Sequence, residues 1–278
     1  MRPFIRNFLL LALFVFNGFL SAENYNKDLN NLKKKLPKNF LVMSLKPFVI
    51  TGNIDFDWMK RTVDNTIKSC SDALFNDFFN KKPSYLIKIY LFKNNSSYRF
   101  YSKKLFKETP DTPFGYYLPS YKSLVMNIAT GGGTLVHELV HALVDVDFPN
   151  IPAWFNEGMG SLFEACTCGE HIYGIVNWRL PILREGIKKN NYISLRKVLS
   201  TTRSEFYNDL KGMNYSEVRY FCLYMQEKKV LKRFYQLFRD NFAKDKTGIS
   251  FVEQVFNNTK LEIIEKDMLE WVKTLSYE

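Results

Sequence analysis

Two rhythms of apolar and polar positions divide the chain. In the first half, short β-like runs recur. Tyr85-Leu86-Ile87-Lys88-Ile89-Tyr90-Leu91-Phe92 is dense in β-branched and aromatic residues and predicts a strand, and residues 39–50 predict another. Residues 114–117 and 124–128, separated by Pro119-Ser120, predict a hairpin. Helical spacing appears over residues 55–79, where Phe56, Met59, Val63, Ile67, Leu74 and Phe78 fall on one stripe before Pro83 ends the region. A shorter helix is expected over residues 97–106. Thr130-Gly131-Gly132-Gly133 then breaks the pattern. Beyond it the spacing is helical almost to the end, over residues 134–146, 152–165, 178–189, 215–228, 231–242, 250–256 and 261–275. Strands early and helices late predict an α+β fold, with a mixed N-terminal lobe holding a small sheet and a mainly helical C-terminal lobe. The expected boundary lies within residues 167–172, which gives lobes of 23–170 and 171–278.

The first 22 residues read differently. Arg2 and Arg6 precede an apolar run over residues 8–16, and Ser21-Ala22 supplies small residues before the chain turns polar at Glu23. This is the layout of a secretory signal peptide, and it predicts export to a periplasmic or extracellular location. The alternative is an uncleaved N-terminal membrane anchor, since the apolar run from Phe4 to Leu20 approaches spanning length. No later segment is apolar enough to span a membrane.

Composition narrows the function classes. Of 278 residues, 46% are hydrophobic and 24% charged, which excludes wholesale disorder. There is no solenoid repeat, heptad run or linker-like stretch. Loss of Arg2 and Arg6 takes the net charge from +11 to +9, and the remaining basic residues are scattered apart from Lys33-Lys34-Lys35. With neither a basic stripe nor a reader module, nucleic acid is not the expected partner. The four cysteines, Cys70, Cys166, Cys168 and Cys222, allow three pairings in an exported protein. Cys166, Cys168 and His171 could alternatively hold a second metal.

The chemistry concentrates in Thr134-Leu135-Val136-His137-Glu138-Leu139-Val140-His141-Ala142. On a helix, residues four apart lie one turn apart and about 40° around the axis, so His137 and His141 can grip one ion. Glu138 flanks that ion and can serve as general base. The surrounding helix is apolar nearly all round, hence buried, and two imidazoles and a carboxylate there need a partner such as a metal. Catalytic zinc usually takes three protein ligands and leaves a fourth position for water. Glu157, Asp147 and His171 compete for the third place. Ligand type and turn chemistry favour Glu157, in Pro152-Ala153-Trp154-Phe155-Asn156-Glu157-Gly158-Met159-Gly160. Pro152 can open a helix there, and Gly158 and Gly160 let it lie close beneath the first.

At these residues the chain resembles the gluzincin metallopeptidases, and more closely the bacterial peptidase MA-like proteins. Residues 133–141 and 153–160 carry the specific part of the resemblance. It implies a zincin-like fold, one zinc ion held by His137, His141 and Glu157, and water activation by Glu138. It also implies an oxyanion donor at Tyr215, and a carboxylate at Glu164, with Asp145 as rival, that orients a ligand imidazole. The free-amine-binding glutamate of the related aminopeptidases has no counterpart in Leu124, Val125, Met126, Asn127 and Ile128, so exopeptidase action is unsupported. Those five residues could instead form an edge strand that pairs with an extended peptide. The expectation is an exported zinc peptidase acting on a peptide or protein substrate. The alternative is an exported binding or scaffold protein with a structural or vestigial zinc site.

Overall fold

The computed structural model describes residues 21–209 and 212–277. The expected leader lies outside the described residues except for its last two. Ser21 caps helix α1 (Ala22–Lys35) by accepting from the Asn24 backbone amide. Among the described residues no helix is long and apolar enough to cross a membrane.

The first expected strand is two strands, β1 (Leu41–Leu45) and β2 (Phe48–Gly52), joined by a tight turn at Lys46-Pro47. The long helical stripe follows as α2 (Phe56–Thr62), capped by Asp55, a π-helical turn (Val63–Lys68), and α3 (Ser69–Asp77). Then come β3 (Ile87–Phe92), α4 (Asn95–Tyr101) and the hairpin of β4 (Gly115–Leu118) and β5 (Ser123–Asn127). The strands form one mixed sheet in the order β1-β2-β3-β5-β4, with β2, β3 and β5 parallel and both outer strands antiparallel.

This order corrects one expectation. The stretch Leu124, Val125, Met126, Asn127 and Ile128 is not a sheet edge, because β5 lies between β3 and β4. Leu124 and Met126 face the main core and Val125 the smaller core behind, while the Asn127 side-chain amide donates to the Pro113 carbonyl. Ile128 already belongs to a short 3-10 turn. The exposed edge falls to β4. Alternation along the sequence identifies a strand but not its neighbours, and here the hairpin folds its first arm outward.

After Gly131, whose φ of 105° suits glycine, the chain enters α5 (Gly133–Asp147) and α6 (Ala153–Phe163). A small hairpin, β6 (Cys166–Cys168) and β7 (Ile172–Gly174), occupies the expected lobe boundary. The remainder is helical: α7 (Leu180–Lys188), α8 (Leu195–Leu199), α9 (Arg203–Tyr207), α10 (Met213–Glu227), α11 (Leu231–Asn241), α12 (Ile249–Val255) and α13 (Leu261–Thr274). The architecture is α+β, with a small mixed sheet and a mostly helical C-terminal region.

The side chains on one face of the sheet, among them Ile50, Ile89 and Leu124, meet the apolar side of α5. The same core continues without a break through Trp154 and Phe155 of α6 to Phe234 and Phe238 of α11. The α5 helix is therefore clamped between sheet and helices, which fixes what its polar residues can face. At the far end of α6, the fully buried Arg219 of α10 donates through Nε to the Ser161 carbonyl at 2.9 Å. It places a cation where the helix leaves its carbonyls unpaired. Cys70 and Cys168 form a disulfide that ties α3 to the β6–β7 hairpin, and Cys166 and Cys222 are free.

Candidate metal centre

His137 and His141 project from successive turns of α5, their ring centroids 4.5 Å apart and their planes at 84°. Glu157 enters from α6. Its Oε2 lies 3.2 Å from His137 Nε2 and 3.5 Å from His141 Nε2. The three ligating atoms fall within 4.8 Å of one another, and His137 and Glu157 are buried. This close approach depends on Gly160. A Cβ there would stand 3.0 Å from the His137 ring, so a larger residue would press the ring out of its present place. Gly133 does the same at the start of α5, where a Cβ would come within 2.3 Å of the Glu164 carbonyl oxygen.

Each ligand is held from behind. Asn156 Oδ1 lies 3.0 Å from His141 Nδ1, and Glu164 Oε1 lies 3.1 Å from His137 Nδ1, in contact but out of line for a hydrogen bond. Both imidazoles therefore turn Nε2 toward the same point. Arg179 grips Glu164 with two bonds, Nε to Oε2 at 3.2 Å and Nη2 to Oε1 at 3.0 Å. Tyr207 donates to Glu157 Oε1 at 2.6 Å, which leaves Oε2 for the shared point.

The electrostatics favour positive charge at this group. Burial alone would lower the His137 pKa, but Glu157 and Glu164 outweigh it and raise it well above the ordinary histidine value. Burial likewise disfavours an ionised Glu157, yet His141 and His137 hold its carboxyl well below the usual range. Glu164 is pulled down to about 2 against its burial, chiefly by His137 and then Arg179. A buried carboxylate is stable only beside positive charge, which either a proton on an imidazole or a metal ion can supply. Two imidazole nitrogens and one carboxylate oxygen are a donor set that suits a borderline divalent ion, so these residues fit a metal.

The other expected residues take definite places. Glu138 and Tyr215 line the same cleft as the metal group, a hollow of about 350 Å³ bordered on one side by Tyr116 and Tyr117 of β4. Burial raises the Glu138 pKa, while His137 and His141 draw it back. Tyr215 packs its ring 5.4 Å from Phe206 and lies 5.2 Å under the Arg179 guanidinium. Burial, then the charge of Glu157, push its phenol upward. Asp145 does not orient an imidazole. Its Oδ2 accepts from the Tyr117 hydroxyl at 3.0 Å and from Lys122 at 2.9 Å, so it pins α5 to the β4–β5 hairpin. It sits one turn beyond His141, where the hairpin rather than a ring is within reach.

The rival third ligands are also accounted for. Asp147 accepts from the amides of Asn80 and Lys81, from Tyr235 at 3.0 Å and from Arg239 at 2.8 Å, all at the far end of α5. His171 is exposed and pairs with Asp77 at 2.8 Å. Its turn toward Asp77, and the use of Cys168 in the disulfide, take the Cys166, Cys168 and His171 arrangement apart.

Sequence reasoning missed Asn156, Arg179 and Tyr207. Asn156 adjoins Glu157 and so was within reach of the motif. Arg179 caps a helix that the spacing predicts and Tyr207 lies in a segment with no periodic signal, but neither is near the motif in sequence; only the packing of α7 on α10, and of α10 and α9 on α6, brings them in. No known family model matches the chain, and no curated protein matches it in sequence.

Proposed function

We propose that the chain is an exported zinc-dependent peptidase of gluzincin type, with a zincin-like fold and one zinc ion at His137, His141 and Glu157. The observation that carries this reading is the convergence of three ligand atoms at the floor of a cleft that Glu138 and Tyr215 also line. A purely structural site would need no carboxylate at position 138 beside the ligands.

When bound, zinc supplies Lewis acidity: it acidifies water and polarises a carbonyl. The chain's own residues do the rest. Glu138 takes the proton from water and delivers it to the departing amine. The Tyr215 hydroxyl donates to the oxygen on which negative charge develops. Tyr207, Asn156 and Glu164 keep the ligands from rotating, and Arg179 does so through Glu164. The free edge of β4 runs along the cleft and offers unpaired backbone groups to an extended peptide.

The test is metal analysis of the purified full chain combined with digestion of a peptide library. Glu138→Gln should keep zinc and lose hydrolysis, and His141→Ala should lose both. Full activity in Glu138→Gln, or a zinc-loaded wild type that cuts no peptide, would overturn the proposal.

A further inference from the structure

On the face of the sheet away from α5 lie two small apolar clusters, bridged by the partly buried Leu32 of α1. One joins α1 to the sheet through Tyr25, Leu29, Val49 and Leu86. The other gathers Phe40, Tyr90, Phe92, Tyr98, Phe106 and Val125 beside α4. Between them lies a cavity of about 500 Å³, with β3 contributing to its lining. Successive strand residues point to opposite faces, so Ile87 and Ile89 enter the main core while Lys88 turns the other way with Tyr90. Lys88 is thus a half-buried ammonium on the central strand, lining this cavity. Its side chain makes no hydrogen bond or ion pair with any described residue.

The charges around it define what is missing. Lys35 and Lys122 also line the cavity, but Lys122 is already paired with Asp145 at 2.9 Å. Asp28 is the acid across from Lys88, which leaves Lys88 and Lys35 against one carboxylate, an excess of one positive charge. Burial lowers the Lys88 pKa and Asp28 only partly restores it, so the amine lacks the counter-charge that would stabilise it. Leu32, Leu36, Leu105 and Phe106 supply apolar walls. The volume lies in the range of small-ligand sites, and the lining is mixed, with these apolar side chains facing Lys88, Lys35, Asp28 and Asn31, which suits a ligand that has both a charged head and an apolar body.

We propose that this cavity binds a small amphipathic monoanion, a carboxylate on an apolar body, with Lys88 holding the carboxylate and the leucines and Phe106 covering the rest. A dianionic head such as a phosphate fits less well, because Asp28 would oppose its second charge. The site lies behind the sheet and stands independently of the metal centre.

The experiment is calorimetric titration of the full chain with decanoate, using decanol and decyl phosphate as comparators. Decanoate should saturate at one equivalent and bind more tightly than either comparator. Lys88→Met should weaken decanoate by at least about tenfold, as expected for loss of a charge-assisted hydrogen bond, and leave decanol unchanged. Lys88→Arg should retain most of the affinity. Since Lys88 makes no internal bond, Lys88→Met should unfold at or above the wild-type temperature, which separates loss of binding from loss of fold. No saturable decanoate binding, equal binding to Lys88→Met, or equal or tighter binding of decanol or decyl phosphate would each overturn the assignment.

Discussion

The Tyr207 hydroxyl donates a 2.6 Å hydrogen bond to Glu157 Oε1, across fifty residues of sequence, and so decides which carboxylate oxygen faces the two imidazoles. Removing the donor in Tyr207→Phe should leave the fold intact and weaken metal binding by about 10–100-fold. Competition with a chromogenic chelator measures this directly. Unchanged metal affinity would mean that Glu157 is held by packing alone.

Gly160 should be as sensitive as a ligand. A methyl group there meets the His137 ring at 3.0 Å, tight enough that the ring must give by a few tenths of an ångström. Gly160→Ala should displace His137 and lower metal affinity by at least about tenfold, with a smaller fractional loss of thermal stability than a core cavity would cause. A variant that binds metal normally would show that α6 can shift without moving the site.

Glu217 on α10 is fully buried, and neither of its carboxyl oxygens finds a hydrogen-bond partner among the described residues. Burial, and then the neighbouring Glu265, raise its pKa well above 4.5. The unfolded chain releases this proton near the ordinary value while the folded chain keeps it. The contribution of Glu217 to stability is therefore fully present below pH 4.5 and declines as pH rises toward its folded pKa. The decline is at most about 1.4 kcal/mol per pH unit. Glu217→Met should be more stable than wild type in urea, with a gain that grows as pH rises above 4.5. Parallel curves for the two proteins would refute a neutral Glu217.

The disulfide should appear in a non-reducing peptide map as Cys70 joined to Cys168, a closure spanning 98 residues. Cys70→Ser should cost about 2–5 kcal/mol of stability, and reduction of the wild type should cost a similar amount. Burial pushes the Cys166 thiol up to about 11 and Arg219 only partly offsets this, so alkylation of native protein at neutral pH should be slow at Cys166. Cys222, fully buried, should react only on unfolding. A map joining Cys166 to Cys70 would contradict the structure.

What could be read from the chain alone was whatever depends on short spacing. The i, i+4 relation of His137 and His141 is helix geometry, and Glu157 with its flanking glycines lies in a segment whose local chemistry already required close packing. The strand at Ile87–Phe92 and most of the later helices follow from period and length. Tertiary structure decided what depends on neighbours. Whether β5 or β4 forms the sheet edge is set by strand order, which alternation does not encode. Asp145 and Glu164 are both acids at plausible spacing, and only the positions of the β4–β5 hairpin and of Arg179 assign one to a scaffold role and the other to His137. Tyr207 reaches Glu157 because α9 packs on α6, and Cys70 meets Cys168 because the β6–β7 hairpin folds over α3. Contacts of this kind arise when distant segments bury their apolar faces together, and no local pattern in the sequence carries that information.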